Sequence, residues 1–526
     1  MVSAPEQCAG ACLVIRSQNL IPLNSGAYQA RDKIADYQIC ENLFPETNPP
    51  ETDAPVAVTH YPREGLRPLS APPSLGLGRG VFALSNGALL AVVSSTVYSI
   101  GRNWQWTQVG VIDSTSTPVS VKDNGQTAVL VDGTLGGGYE YTMASGAFAQ
   151  IVDPTGTFVG SNYVDFSDTF FAFATIGSNQ WIVSNPNSVT FNALQVAAKD
   201  SKPDPIISFA FNLRVMWLIG AQTTEVWWLS GNVPFPYQEF PNVLIPYGSG
   251  APYSLIQADV DLFWLSRNEQ GQGLAVKTNG YSVEAISTRA LEYEWSTYPT
   301  IADAIGGTYQ IAGHTFLIWH FPSANKSWGY DLATKQWHRR TYTDNNGTPN
   351  REKVSFYASV GPQDGYPATI VGQDWQTGQI YALDPQTFTD NGQPIVCRRS
   401  FPHQMSDMKE ITTVSLVIDF STGEAAVYDA NASGGSYFNS DFNLDFGGPL
   451  TVTLPGPALC MRYSKDGGFS WSSYRVKGKL SAGEYRSMMR FRGLGMARDW
   501  LFEVMFVYPG KCALQGAYIE PLGHSA

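Results

Sequence analysis

Aromatic and β-branched hairpins recur along most of this chain at intervals of about 41 to 54 residues, and no other feature limits the fold as strongly. Instances begin near Val97-Tyr98, Tyr139-Glu-Tyr141, Trp181-Ile-Val183, Val226-Trp227, Leu274-Ala-Val276, Trp328-Gly-Tyr330 and Ile380-Tyr381. A further hairpin lies between instances, as at Val81–Val93, Phe209–Ile219, Asp259–Leu265 and Tyr309–Trp319. Four short strands per ~40–50 residues is the unit of a β-propeller blade. One such sheet cannot bury both faces alone. Radial stacking between two neighbours covers both and leaves only short edges. The expected fold is therefore all-β, a propeller of six or seven blades over residues 80–402. Two unrelated β-sandwiches are the competing arrangement.

The punctuation of the chain agrees. Fifty glycines and 33 prolines are spread along its length, so few segments can make a helix of ordinary size. Asn86-Gly87, Asn124-Gly125, Asp132-Gly133, Asn279-Gly280, Asn346-Gly347 and Asn391-Gly392 are dipeptides that tolerate the positive φ of tight hairpins. Short helices are expected only at Asn192–Lys199, from a cap at Ser287 or Thr288 through Glu294, and at Ile301–Ile305.

Residues 1–79 are rich in Pro, Asn and acidic residues with little periodicity, and read as an extended arm. Residues 403–526 carry strand patterns such as Thr413–Phe420 and Leu501–Val507, expected to form a compact β-sandwich-like domain. Within it, a Gly-, Ser-, Phe- and Asn-rich insert around 424–454 suits a long exposed loop.

Hydrophobic residues make up 43% and charged residues 15%, which excludes a chain disordered by charge. The formal charge of −12 argues against a protein whose main task is gripping nucleic acid, because such proteins neutralise phosphates with a basic surface. No run approaches the ~18–20 apolar residues of a membrane helix. Met1–Leu20 lacks a basic stretch followed by an apolar one, so no secretory signal is expected. The six cysteines, at 8, 12, 40, 397, 460 and 512, form no CxxC pair and are read as reduced, mostly buried thiols.

Catalytic and cofactor signatures are missing. There is no phosphate-binding GxxxxGK[ST] loop, no dinucleotide fingerprint, no HExxH and no GxSxG elbow. His314 and His320, six apart on one expected hairpin, suit satisfied strand histidines better than a metal pair. No catalytic residue, metal or cofactor is therefore assigned. One motif is specific: Ser464-Lys-Asp466-Gly-Gly468-Phe-Ser-Trp471 matches the Asp-box pattern S-x-D-x-G-x-x-W. Asp466 is placed to accept from the turn's own backbone, Gly467 and Gly468 permit positive φ, and Trp471 packs over the turn. Ser464, Asp466, Gly468 and Trp471 are thus expected to staple a hairpin. Asp boxes recur in sialidases, so a carbohydrate-active or carbohydrate-binding propeller is the alternative function. A sialidase would need several boxes and an arginine triad. Here there is one box, and Arg398-Arg399, being adjacent on a strand, should point to opposite faces.

Several segments, in order, resemble the packaged-DNA stabilisation protein, or tail hub (nozzle) protein, of short-tailed bacteriophages. They include Ile21-Pro-Leu-Asn24, Ala35-Asp-Tyr-Gln-Ile-Cys-Glu-Asn-Leu-Phe-Pro-Glu46, Val58-Thr-His-Tyr-Pro62 and Thr117-Pro-Val-Ser-Val-Lys-Asp-Asn-Gly125. Further along are Thr223-Thr-Glu-Val-Trp227, Ala251-Pro-Tyr-Ser254, Phe263-Trp-Leu-Ser266, Asp390-Asn-Gly-Gln-Pro-Ile395 and Gly493-Leu-Gly-Met-Ala-Arg-Asp499. The likeness runs from about residue 20 to the C-terminus and departs at the leader with Cys8 and Cys12 and at the insert. The resemblance implies a structural virion protein and no enzyme. It implies a homo-hexamer below a portal-adaptor (head-to-tail connector) that closes the channel on packaged DNA. It also implies that the ring carries tailspikes or tail fibres and a tail needle or tip, and forms part of the ejection conduit for double-stranded DNA without sequence-specific binding. The expected location is the virion tail, and the host cytoplasm during assembly.

Overall fold

The computed structural model describes residues 19–49, 56–267, 273–362, 365–406, 409–425, 458–479 and 485–522. The leader with Cys8 and Cys12, and nearly all of the expected insert, lie outside the described residues. Seven four-stranded antiparallel blades follow one another, the first five as separate sheets and the last two within larger sheets. Blade one is Gly78–Ala83, Leu89–Val93, Thr96–Ile100 and Trp106–Val111. Blade two is Ser120–Asp123, Thr127–Val131, Gly138–Thr142 and Ala147–Gln150. Blade three begins at Val164, blade four at Ile206, blade five at Ile256, blade six at Ile305 and blade seven at Val354. The Asn-Gly turns act as expected. In blade two Gly125 takes φ +86°, and Asn124 Oδ1 accepts from the backbone of Gln126 and Thr127.

Period-two patterning explains why the blades stack. In blade four, Phe209, Phe211, Met216 and Leu218 face Ala172 and Trp181 of blade three. The alternate residues Ala210, Trp217 and Ile219 face Leu262, Trp264 and Val276 of blade five. Both faces are buried, so the strands read as nearly continuous apolar runs. Each remaining interface has its own cluster. Leu90 and Val92 meet Val121 and Leu130, and Val129 and Val131 meet Phe171 and Phe173. Leu265 meets Leu317 and Trp319, and Phe316 and Ile318 meet Val354 and Leu383. The ring closes where Val81, Leu89 and Ala91 of blade one pack on Val360, Val371 and Ile380 of blade seven. Each such side chain contributes about 1.5–3 kcal/mol by leaving water.

Blade seven takes its outermost strand from the other end of the chain. Val354–Val360, Thr369–Asp374 and Ile380–Asp384 are completed by Gly65–Ser70, which pairs antiparallel with Ile380–Asp384. The sequence reading assigns this strand to the arm. Pro68 is compatible with it because the outer edge needs no donor there. The rest of the extended N-terminal stretch is also laid on the chain's own sheets. Asn19–Ile21 pairs with Gly510–Leu522, and Leu43–Thr47 pairs with Val58–Pro62. Cys40–Glu41 lies between Gln336–Thr343 of blade six and Cys397–Ser400.

The C-terminal region is a two-sheet sandwich. One sheet has the order Ser487–Ala497, Ile411–Ala425, Gly510–Leu522, Val58–Pro62, Leu43–Thr47. The other runs from Cys397–Ser400 through Asp499–Val507 and Ala458–Ser464 to Arg475–Lys479. Leu416, Ile418 and Phe420 pack on Leu459, Phe502, Val504 and Phe506, with the rings of Phe420 and Phe506 edge-to-face at 4.8 Å. Through Cys40–Glu41 the second sheet joins blade six, giving eleven hydrogen-bonded strands.

One α-helix stands among the described residues, Arg289–Ser296, with Thr288 Oγ1 accepting from Leu291 N at 3.4 Å as its cap. It accounts for the long interval before blade six. The other two expected helices do not form. Val196–Ala198 is the outer strand of blade three, and Ile301–Ala304 is a turn leading into blade six. Ladder pairing at the blade edge outweighs the weak helical pattern there. No helix among the described residues is long and apolar enough to cross a membrane.

Candidate functional site

The Asp box lies on the sandwich, between Ala458–Ser464 and Arg475–Lys479. Ser464 Oγ donates to Asp466 Oδ1 at 2.7 Å and accepts from Gly468 N at 2.8 Å. Asp466 accepts from Ser470 N at 2.9 Å and from Ser470 Oγ. The Ser470 donors, with Ser464, hold the Asp466 carboxyl down at about 2. Gly467 and Gly468 take φ +70° and +93°. Trp471 sits against the Arg462 guanidinium at 4.6 Å and near the Tyr37 ring. The Ser464, Asp466, Gly468 and Ser470 bonds close within the turn, while the ring contacts of Trp471 are with Arg462 and Tyr37. The turn also clamps the N-terminal stretch: a Cβ on Gly467 would meet Ile34 at 3.2 Å, and Lys33 lies over Phe469 and Tyr37. His403 Nε2 donates to the Lys33 carbonyl while its Nδ1 faces Asp499.

A second constellation, unmarked by any motif, sits where the closing strand enters blade seven. Arg63 and Glu64 immediately precede that strand. Arg63 Nη1 donates to Asp390 Oδ1 at 3.0 Å, its Nε to Asn42 Oδ1 at 3.0 Å and its Nη2 to Thr341 O at 3.0 Å. Arg340 of blade six pairs with Glu64 at 2.7 Å and Glu352 at 3.5 Å, its guanidinium 4.8 Å from the Phe316 ring centroid. Tyr309 also donates to Glu64. Nearby, Glu41 pairs with Arg398 at 2.9 Å. All these carboxylates are buried. Burial alone would raise Glu64, but Arg340, Tyr309 and Arg63 outweigh it and hold the carboxyl below its ordinary value. Burial prevails at Glu352, which is pushed up despite Arg340 and Arg63. Asn42, at φ +55°, ties the N-terminal stretch to blade six and to the residues before Cys397–Ser400 by donating to Thr341 Oγ1 and Val396 O.

The other sequence candidates are dispersed. His314 and His320 share one strand, about 20 Å apart at ~3.3 Å per residue. His314 Nδ1 bonds Asp331 and His320 Nδ1 bonds Ser327. Among the described residues no group of three His, Cys, Asp or Glu is arranged to hold a metal. Arg398 and Arg399 diverge as expected: Arg399 donates to the carbonyls of Ile39 and Ser25, away from Glu41. Cys40, Cys397, Cys460 and Cys512 are free and buried, and burial pushes the Cys40 thiol up to about 11.

First strands of neighbouring blades lie against one another, as Ser120–Asp123 does against Val164–Ser167 and Ile256–Ala258 against Ile305–Ile311. Tyr253, in the turn Pro252–Ser254 ahead of blade five, stacks on Tyr163 ahead of blade three, with ring centroids 5.9 Å apart. Its hydroxyl reaches Gly133 of blade two, 2.8 Å from where a Cβ would stand. Tyr253 thus bridges the loops ahead of blades three and five to a loop of blade two.

A model of the family described as "Bacteriophage P22 Gp10, beta-propeller" matches residues 19–387. No curated protein matches the chain. Among solved structures, the N-terminal domain of Nup159 is 10% identical, with 66% of this chain and 98% of that one covered at a TM-score of 0.40. The WD40 β-propeller domain of Doa1 is 10% identical, with 60% and 97% covered and a TM-score of 0.37. The extracellular domain of the one-component system BT4673 from B. thetaiotaomicron is 8% identical at a TM-score of 0.39. There 69% of this chain is covered but only 45% of that one, so this chain spans less than half its length. The family model takes in both the closing strand and all seven blades up to residue 387, and the chain accordingly belongs to the bacteriophage P22 Gp10 β-propeller family, phage structural proteins of packaged-DNA stabilisation.

Proposed function

We propose that this chain is the hub or nozzle subunit of a short phage tail. Six copies ring the channel beneath the portal-adaptor, close it on the packaged genome, carry tailspikes or fibres and a needle or tip, and frame the route of DNA at ejection. The family match over residues 19–387 carries this reading. The architecture supports it. A sheet of eleven strands runs from blade six into the sandwich, and the buried Arg63, Glu64 and Arg340 pairs fasten the closing strand, so the two domains form a stiff block suited to bearing load. Six copies at −12 each carry −72, a field that repels the DNA backbone and favours sliding over sticking. The test is the mass of the purified protein with and without its adaptor. A six-fold ring on the adaptor is expected. A monomer under both conditions refutes the reading.

A further inference from the structure

Charge is divided unevenly along this chain. Residues 118–160, which contain blade two, hold four carboxylates, Asp123, Asp132, Glu140 and Asp153, against one cation, Lys122. Lys122 pairs with Asp165 of blade three at 3.2 Å. Residues 458–526 hold ten Lys and Arg against five Asp and Glu.

In the sandwich some of these cations are already matched: Arg462 with Glu503 and Arg490 with Glu520, each at 2.8 Å, and Arg486 with Asp419. Others gather at the rim where the edge strands Arg475–Lys479 and Ser487–Ala497 come together. Arg475 Nη1 donates to Arg492 O at 2.8 Å, its guanidinium lies over Tyr463, and Lys465 lies over Tyr463 and Trp500. Among the described residues none of Lys465, Arg475, Lys477 and Arg492 meets a carboxylate. Met496, 53% exposed, lies on the same edge strand as Arg492.

Blade two offers the complement. Leu135, Val152 and Val159 are 78%, 82% and 39% exposed. Two loops bring them together: Gly136 N donates to Val159 O at 3.0 Å, and Gln150 Nε2 donates to Gly136 O at 3.1 Å. Asp153 stands beside Val152. An aliphatic cluster with one carboxylate, Asp153, at its margin is a mark of an interaction site; Asp132 is buried and accepts from Thr134 and Ser114, so it adds no surface charge. It sits three blades away from blade six, which shares a sheet with the sandwich.

We propose that the cationic rim of one copy's sandwich seats on the acidic, aliphatic surface of blade two of the next copy. The inference rests on the hub reading above and names its subunit contact. Two different surfaces on one chain make a head-to-tail contact, the kind that closes into a ring. Leu135, Val152 and Met496 supply the apolar centre, and the opposed charges set orientation and encounter rate. Four cations without a carboxylate partner among the described residues also suit a phosphate backbone. The exposed methionine among them, and a complementary surface on the same chain, favour the neighbouring copy.

The experiment measures ring formation on the adaptor by light scattering for the full chain, for Leu135→Lys and for the double variant Lys477→Glu, Arg492→Glu. All three substituted side chains are exposed, and unchanged thermal melting verifies folding. Val152→Lys repeats the test on the neighbouring loop. Each variant alone should assemble at least about tenfold less well. An equimolar mixture of Leu135→Lys and the double variant should recover rings, because every contact then joins opposite charges in alternation. Wild-type assembly by either variant alone overturns the contact while leaving the hub reading intact. Normal rings that lose their grip on DNA in the double variant would assign the rim to phosphates and likewise overturn it. An unmodified chain that stays monomeric with its adaptor removes the hub reading, and this contact with it.

Discussion

Replacing Arg340 by methionine probes how the propeller is held closed. Methionine follows the stem of the arginine between the Phe316 and Tyr309 rings, so packing changes little. It leaves Glu64 and Glu352, with side chains 3% and 1% exposed, without their shared cation. Removing one partner of a buried pair costs about 3–5 kcal/mol, because the remaining carboxylates keep no water and only the more distant charge of Arg63. Against a typical total of roughly 5–15 kcal/mol that is a large loss. The sign with pH follows. Burial raises Glu352 even beside Arg340, and loss of that cation raises it further, so its penalty is full above the folded value and fades as pH falls toward the unfolded one. Urea melts followed by tryptophan fluorescence at pH 5 and pH 8 should show the larger loss at pH 8. The triple variant Arg340→Met, Glu64→Gln, Glu352→Gln should recover about half of it or more. A single variant within about 1 kcal/mol of wild type at pH 8, or equal single and triple losses, would refute the account.

Burial beside Arg399 holds the His60 imidazole down at about 3. Its folded value lies below the unfolded one, so its contribution is intact above about pH 6.5 and is lost as pH falls toward 3, reaching roughly 4–5 kcal/mol there. His60→Leu should therefore flatten the acid limb of a stability–pH curve, and a curve parallel to wild type would count against this. Asp466→Ala removes the acceptor for Ser470 and should loosen the turn by about 1 kcal/mol. Trypsin should then cut faster at Lys33, which the turn helps to hold; an unchanged cleavage rate contradicts the clamp. In the intact protein that support is present above about pH 4 and fades as pH falls through about 2.

The repeat was legible because each blade is local. Strand, turn and strand lie within a few residues, and alternation as in Phe209-Ala210-Phe211 encodes burial on both faces. The Asp box was legible for the same reason, since Ser464, Asp466, Gly468 and Ser470 bond one another. Gly65–Ser70 was not. It contains Pro68 and lacks an alternating apolar face, and its partner Ile380–Asp384 lies about 310 residues away. Nothing local marks such pairing. The Arg63–Asp390 and Arg340–Glu64 pairs share this difficulty: each joins residues more than 270 positions apart. In sequence they look like ordinary surface charges. The two helices that failed were short patterns at blade edges, where ladder partners decided the outcome.

The borrowed strand of blade seven has a cost in time. A ribosome releases Gly65–Ser70 about 310 residues before Ile380–Asp384, an interval of roughly 15–60 s at typical elongation rates. Until then blade one lacks its neighbour, and the ends of Leu43–Thr47 and Val58–Pro62 await Gly510–Leu522, nearly the last residues made. A nascent chain of this kind waits with open apolar edges. Its yield in the cell depends on what shields those edges during synthesis as much as on the stability of the finished ring.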